Sequence, residues 1–134
     1  MIFSFTFYGR PFSINRWTYA TRKTKTKDAR AWETEFLRQL APQEMRLKEM
    51  ADKWRKSGGQ FTIKIECFYL NFYNDEGEIS SKTIDITNFE KIIQDMLFST
   101  MGLNDKLVTA LSSSKEHSIT DFIRVQLELN PKSA

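Results

Sequence analysis

Two aspartates and a lysine bracket one apolar helix in the segment Thr83–Val108, TIDITNFEKIIQDMLFSTMGLNDKLV. Phe89, Ile92, Ile93, Met96 and Leu97 recur at the i, i+3, i+4, i+7, i+8 spacing of a single buried stripe, which predicts a helix from Thr87 to Met101. Its other face then carries Asn88, Lys91 and Asp95. Asp85 immediately precedes the helix, and Asp105 follows the loop Gly102-Leu103-Asn104, so both carboxylates could meet at one end of a sheet. Carboxylate oxygens are hard ligands, and Mg²⁺ commonly uses one or two of them with phosphate oxygens and water completing its shell. Such a metal suits attack on a phosphodiester. Lys91 is the candidate for neutralising charge that builds on the phosphorane or the leaving oxygen.

A plainer account uses the same residues. Thr87 and Glu90 spell a T-x-x-E capping box, in which side chains satisfy orphan amides of the first turn. Lys91 and Asp95 make an ordinary i, i+4 pair. Residue types alone leave both accounts open.

The segment resembles the RusA family of Holliday junction resolvases, whose signature reads D-x-D-N-x-x-K, a short helix, then G-x-x-D-D-x-x-V. The first part stands here as Asp85-Ile86-Thr87-Asn88-Phe89-Glu90-Lys91 and the second as Gly102-Leu103-Asn104-Asp105-Lys106-Leu107-Val108, with Asp95 matching the family's helical aspartate. Pro11-Phe12-Ser13-Ile14-Asn15-Arg16, after a strand, matches a second element, P-x-S-x-N-R. A basic, aromatic run and a strand holding Ile65-Glu66-Cys67 are also similar, so the resemblance spans nearly the whole chain. It implies a homodimer that cuts four-way DNA junctions with Mg²⁺, or Mn²⁺ in its place, held by Asp85 and Asp105. Lys91 would assist the reaction, with Asn88 and Asp95 supporting. Two positions depart from the signature: Thr87 replaces the second aspartate and Asn104 replaces the first of the later pair. A Thr hydroxyl is a neutral, weaker Mg²⁺ ligand than a carboxylate. Glu66, Glu90 and Asp95 are the acids available to restore the missing charge.

Charge is informative through its distribution. Twenty basic and 17 acidic residues give a net charge of only +3. Yet Arg10, Arg16, Arg22, Lys23, Lys25, Lys27 and Arg30 lie in a stretch whose only acid is Asp28, with Trp17 and Tyr19 interleaved. Cations so placed neutralise phosphates and aromatics stack on exposed bases, which makes Asn15, Arg16, Trp17, Arg22, Lys23, Lys25 and Lys27 the expected DNA-binding arm. A solvated hairpin that only aids solubility is the competing interpretation. Cys67 has no partner for a disulfide, which suits a reducing cytoplasm. His117 reads as a plain surface residue in a polar turn. Zinc spacings, a phosphate-binding P-loop and G-x-S-x-G are absent, so no organic cofactor is expected. Neither a secretory leader nor a membrane span is apparent.

These residues need a scaffold, and 134 positions suffice for one domain with a proper core. Alternating residues predict strands over Ile2–Tyr8, Gln60–Phe72, Leu107–Ser112 and Phe122–Leu129. A helix capped by Asp28 should bury Trp32, Phe36, Leu37 and Leu40, and a second, separated by Pro42, should bury Met45, Leu47, Met50, Ala51 and Trp54 before Ser57-Gly58-Gly59. Asn74–Lys82 reads as a polar, acidic loop and 130–134 as a frayed tail. The order β-loop-α-α-β-α-β-β describes an α/β (α+β) single domain, a mixed sheet with helices packed on it. The exposed ends of the Asp85 helix and the Phe-rich first strand are the expected dimer surfaces. The functional expectation is a junction-resolving endodeoxyribonuclease, with a phage or prophage origin suggested by resemblance alone. The alternatives are a degenerate relative that binds branched DNA or a protein without cutting, and a protein–protein module unrelated to DNA.

Overall fold

The computed structural model describes residues 1–12, 25–81, 83 and 86–132, with backbone alone at 86–88. Four strands, β1 (Ile2–Tyr8), β2 (Gln60–Tyr69), β3 (Val108–His117) and β4 (Phe122–Asn130), form one sheet in the order β1-β4-β2-β3. β4 runs antiparallel to both β1 and β2, whereas β2 and β3 are parallel. A parallel pair needs a crossover, and α3 (Ile86–Met101) supplies it. The other helices, α1 (Lys27–Leu40) and α2 (Glu44–Ser57), lie between β1 and β2 in sequence, joined by a 3₁₀ turn at Ala41–Gln43 that contains Pro42. The expected element order and mixed α+β class are therefore observed.

Alternation decides which sheet face is covered. Phe3, Phe5 and Phe7 of β1, Phe61, Ile63, Ile65 and Cys67 of β2, and Ile123, Val125, Leu127 and Leu129 of β4 are buried with the helices. Phe36 of α1 packs against Phe5 and Phe7, each with ring centroids 5.3 Å apart. Trp32 meets Phe7 at 5.2 Å and Phe89 at 5.8 Å, so one aromatic cluster links β1, α1 and the first turns of α3. Phe61 meets Phe98 edge-on at 5.2 Å and fixes the far half of α3 over β2.

Several boundaries differ from expectation, each for a local reason. The α1 N-cap is Thr26, whose Oγ1 accepts from the Ala29 amide at 3.1 Å; Asp28 falls inside the first turn, where a negative charge favours the helix dipole. Met45 is 67% exposed, because the α2 stripe is Leu47, Met50, Ala51 and Trp54 and Met45 lies off that spacing. β2 ends at Tyr69, where the Leu70 amide donates to Asp121 Oδ1 at 2.9 Å, so the hairpin starts earlier than the apolar run suggests. β3 continues through the polar residues Ser112–His117 because its parallel register with β2 extends to Tyr69↔His117. His117 thus closes a strand rather than occupying a turn, and Asn130 closes β4 rather than opening a tail. The Phe face of β1 is taken up by the chain's own core, while Ile2 and Tyr8 on the same strand stay exposed.

Candidate functional site

Burial of Phe89, Ile92, Ile93, Met96, Leu97, Phe98 and Met101 fixes the rotation of α3. Lys91 and Asp95 are consequently exposed on its other side. Gly102 takes φ +71° just past the helix, the left-handed position that glycine occupies without penalty, and the Leu103 amide donates to the Phe98 carbonyl at 3.0 Å. Arg55 of α2 also donates to the Met101 carbonyl, at 3.2 Å. The chain then enters a 3₁₀ turn at Asp105–Leu107, capped by Asn104 Oδ1 accepting from the Lys106 amide at 2.8 Å. Asn104, one of the two departures from the signature, therefore shapes the turn that presents Asp105.

Asp105 and Asp95 both accept from the Lys91 ammonium, Asp105 in the shorter contact and Asp95 at 3.1 Å. The fold thus unites the lysine of the first motif half with the aspartate of the second. These hydrogen bonds, first to Asp105 and then to Asp95, raise the Lys91 pKa above that of an ordinary lysine. Lys91 is consequently a fixed cation at neutral pH and unsuited to act as a base.

The other acids have separate partners. Glu90 accepts from Ser113 Oγ of β3. Glu66 accepts from Arg124 Nε at 3.0 Å on the helix-free sheet face, and this bond pulls its carboxyl below the usual range. Arg124 also lies 5.2 Å over the Phe68 ring, which stacks on Phe122 at 4.2 Å. Among the described residues no group of three His, Cys, Asp or Glu side chains could hold a metal ion. The donor available, the Asp105 carboxylate, is of the hard oxygen type that Mg²⁺ selects, and two carboxylates are enough for that ion. Asp85 lies outside the described residues, as do the side chains of Thr87 and Asn88.

Of the expected DNA arm, Asn15, Arg16, Trp17, Arg22 and Lys23 also fall outside the described residues. Lys25 pairs with Glu33 at 2.6 Å, and Lys27 is exposed at the start of α1. Sequence reasoning missed Lys115, whose Nζ donates at 3.0 Å to Thr83 Oγ1 and so ties β3 to the segment leading into Asp85. The only signal was the alternation Leu111, Ser113, Lys115, which is too polar to announce a face turned toward a helix.

Together these features describe a mixed-sheet α+β domain whose crossover helix carries a lysine clamped by carboxylates. A family model described as endodeoxyribonuclease RusA matches residues 9–128. The chain belongs to the RusA endodeoxyribonuclease family, which points to nuclease action on branched DNA. No curated protein gives a match. Among the described residues, no helix is long and apolar enough to cross a membrane.

Proposed function

We propose that this protein is a structure-selective endodeoxyribonuclease that resolves four-way DNA junctions by Mg²⁺-dependent phosphodiester hydrolysis, acting as a homodimer in the cytoplasm. The observation that supports this most is the convergence of Lys91 with Asp105, two signature residues separated by a whole helix, in a chain of the RusA family. Asp85 and Asp105 would hold the metal, with Thr87 as a weak neutral ligand, and Mn²⁺ would substitute. When bound, the ion would polarise the phosphate and lower the pKa of its water. Lys91 would place a permanent positive charge beside the leaving oxygen, and Asp95 would keep its ammonium oriented toward Asp105. Asn88 would orient the acids by hydrogen bonding. Arg16, Trp17, Arg22, Lys23, Lys25 and Lys27, with Asn15, would grip the DNA backbone and exposed bases, and a two-fold dimer would match a junction's opposed strands.

A second reading is favoured by Thr87: a family member that binds branched DNA, or a protein, without cutting. Cleavage of a labelled four-way junction with Mg²⁺ or Mn²⁺ separates the two. Paired nicks by the wild type that vanish in Asp85→Asn are expected. Intact junction with the wild type and cutting by Thr87→Asp would establish the second reading instead.

A further inference from the structure

The sheet end where β2 and β3 finish carries a cavity that the reaction above does not use. It measures about 430 Å³ and is lined by Arg10, from the segment after β1, and by Asn71, Tyr73, Asn74, Asp75 and Ser80 of the β2–α3 connection. That volume lies within the roughly 300–1,000 Å³ of small-ligand sites. Its hairpin is preformed. Tyr73 bridges to Ile79, the Asn74 amide donates to the Glu78 carbonyl at 2.7 Å, and Asn74 Oδ1 accepts from the amides of Glu76 and Glu78 at 3.0 and 2.9 Å. The Arg10 carbonyl accepts from Trp32 Nε1 at 2.9 Å, which anchors the opposite wall to α1.

Tyr73 gives the cavity its character. The ring meets Phe72 edge-on at 5.0 Å and His117 at 5.8 Å, yet the residue remains 55% exposed. A restrained aromatic open to solvent is a ready stacking platform. Ile79, bridged to Tyr73 and about half exposed, adds apolar surface beside it. Asn71 adds an amide able to donate and accept in one plane, and Arg10 adds a guanidinium. An aromatic face, an amide and a cation together suit a nucleobase carrying its phosphate. Bases inside a duplex have both faces covered, so the ligand must be a base drawn out of the stack, which costs least where stacking is interrupted at a branch point. A lining residue is also tied to Thr83: the Ser80 carbonyl accepts from Thr83 N at 3.1 Å and from Thr83 Oγ1 at 2.8 Å, and Thr83 stands two positions before Asp85 in the sequence.

We propose that this cavity takes one unstacked nucleobase of a branched DNA, with Tyr73 stacking on the ring, Asn71 bonding to its edge and Arg10 contacting its phosphate. The inference rests on the junction-binding reading above and adds a base site distinct from the basic arm. Tyr73 and Asn71 carry no charge, so their part of the recognition proceeds through stacking and hydrogen bonding. Loss of either neutral contact, with Arg10 in place, should leave the salt dependence of binding unchanged.

The test is titration of a metal-free four-way junction, carrying 2-aminopurine at a branch-point nucleotide, with wild type, Tyr73→Phe, Tyr73→Ala and Asn71→Ala. Wild type and Tyr73→Phe should change the fluorescence alike. Tyr73→Ala should abolish that change and weaken junction affinity by about tenfold, a modest value for one stacked base, with duplex affinity and salt slope retained. Asn71 is exposed, and its alanine variant should show a smaller loss of the same kind even where Tyr73→Ala folds poorly. Wild-type affinity and signal in both alanine variants would overturn the base site while leaving the junction reading intact. A wild type that binds no junction would instead remove the junction reading, and this inference with it.

Discussion

The two edges of the sheet are built from opposite materials. At β1 every inward residue is a buried phenylalanine, and the outer rim at Tyr8 is closed by the Gln39 amide, which accepts from the Tyr8 amide at 2.8 Å and donates to its carbonyl at 3.0 Å. Such a clamp occupies backbone groups that an exposed edge would offer to another chain. At β3 no residue is fully buried, and the contacts toward α3 and the segment before it are polar: Ser113 to Glu90 and Lys115 to Thr83. Asp105 enters the 3₁₀ turn just before this edge. The β1 edge is thus built for stability, and the proposed chemistry falls beside β3, where the Lys91 ammonium and a partly exposed Asp105 carboxylate cost little to maintain.

The largest test of that division is in the aromatic cluster. Phe36 is fully buried against Phe5, Phe7 and Trp32. Phe36→Ala should cost about 3–5 kcal/mol, from lost transfer energy plus the cavity left behind. A urea titration reads it, and a loss under about 1 kcal/mol would mean that the β1 edge does not hold the stability assigned to it.

Lys91→Ala probes the other edge. Its pairs with Asp105 and Asp95 are exposed and contribute at most about 1 kcal/mol to folding. Junction cleavage should fall by about 100- to 1,000-fold, the ordinary worth of one preorganised charge in a transition state. Unfolding measured beside cleavage sharpens the contrast: here activity collapses while the urea midpoint barely moves. Cleavage at the wild-type rate would remove Lys91 from the reaction.

Legibility follows the same division. The Phe alternation in β1 and the stripe of α3 could be read directly, because apolar burial imposes a period on the sequence. Lys91 and Asp105 were legible as motif members, but their contact depends on the Gly102 turn and the Asn104 cap, which set a direction in space that spacing alone does not encode. The end of β3 past Ser112 is not legible, because Ser113 bonds to Glu90 of α3 and Lys115 to Thr83 before that helix, and polar residues leave no apolar trace. Met45 erred in the other direction, since a methionine near a stripe reads as core although its angle places it in solvent.

β2 lies between β4 and β3, and its buried Cys67 tests how dry the shared core is. Burial pushes the Cys67 thiol up to about 12. In the unfolded chain it ionises from about pH 8.5, so the unfolded state sheds a proton that the native state retains. The stability contributed by the neutral thiol is complete below that pH and is lost as pH rises toward 12. Wild type should lose about 1–2 kcal/mol more than Cys67→Val between pH 7 and 10, measured by urea titration of both. Parallel losses would show that solvent reaches the thiol.

The smallest expected effect asks whether the β3 edge contains a second carboxylate of the site. Ser113→Ala removes one hydrogen bond to a partly buried Glu90 and should cost about 1 kcal/mol. Glu90 belongs to no three-acid group among the described residues, and its partner stands eight residues beyond Asp105 on a strand leading away from the turn. Cleavage should therefore stay within about twofold of wild type. If it instead fell as far as in Lys91→Ala with stability preserved, the Ser113 bond would be orienting a catalytic acid. Glu90 would then be the replacement for the charge missing at Thr87, and the reactive part of the β3 edge would extend along the strand instead of ending at its first turn.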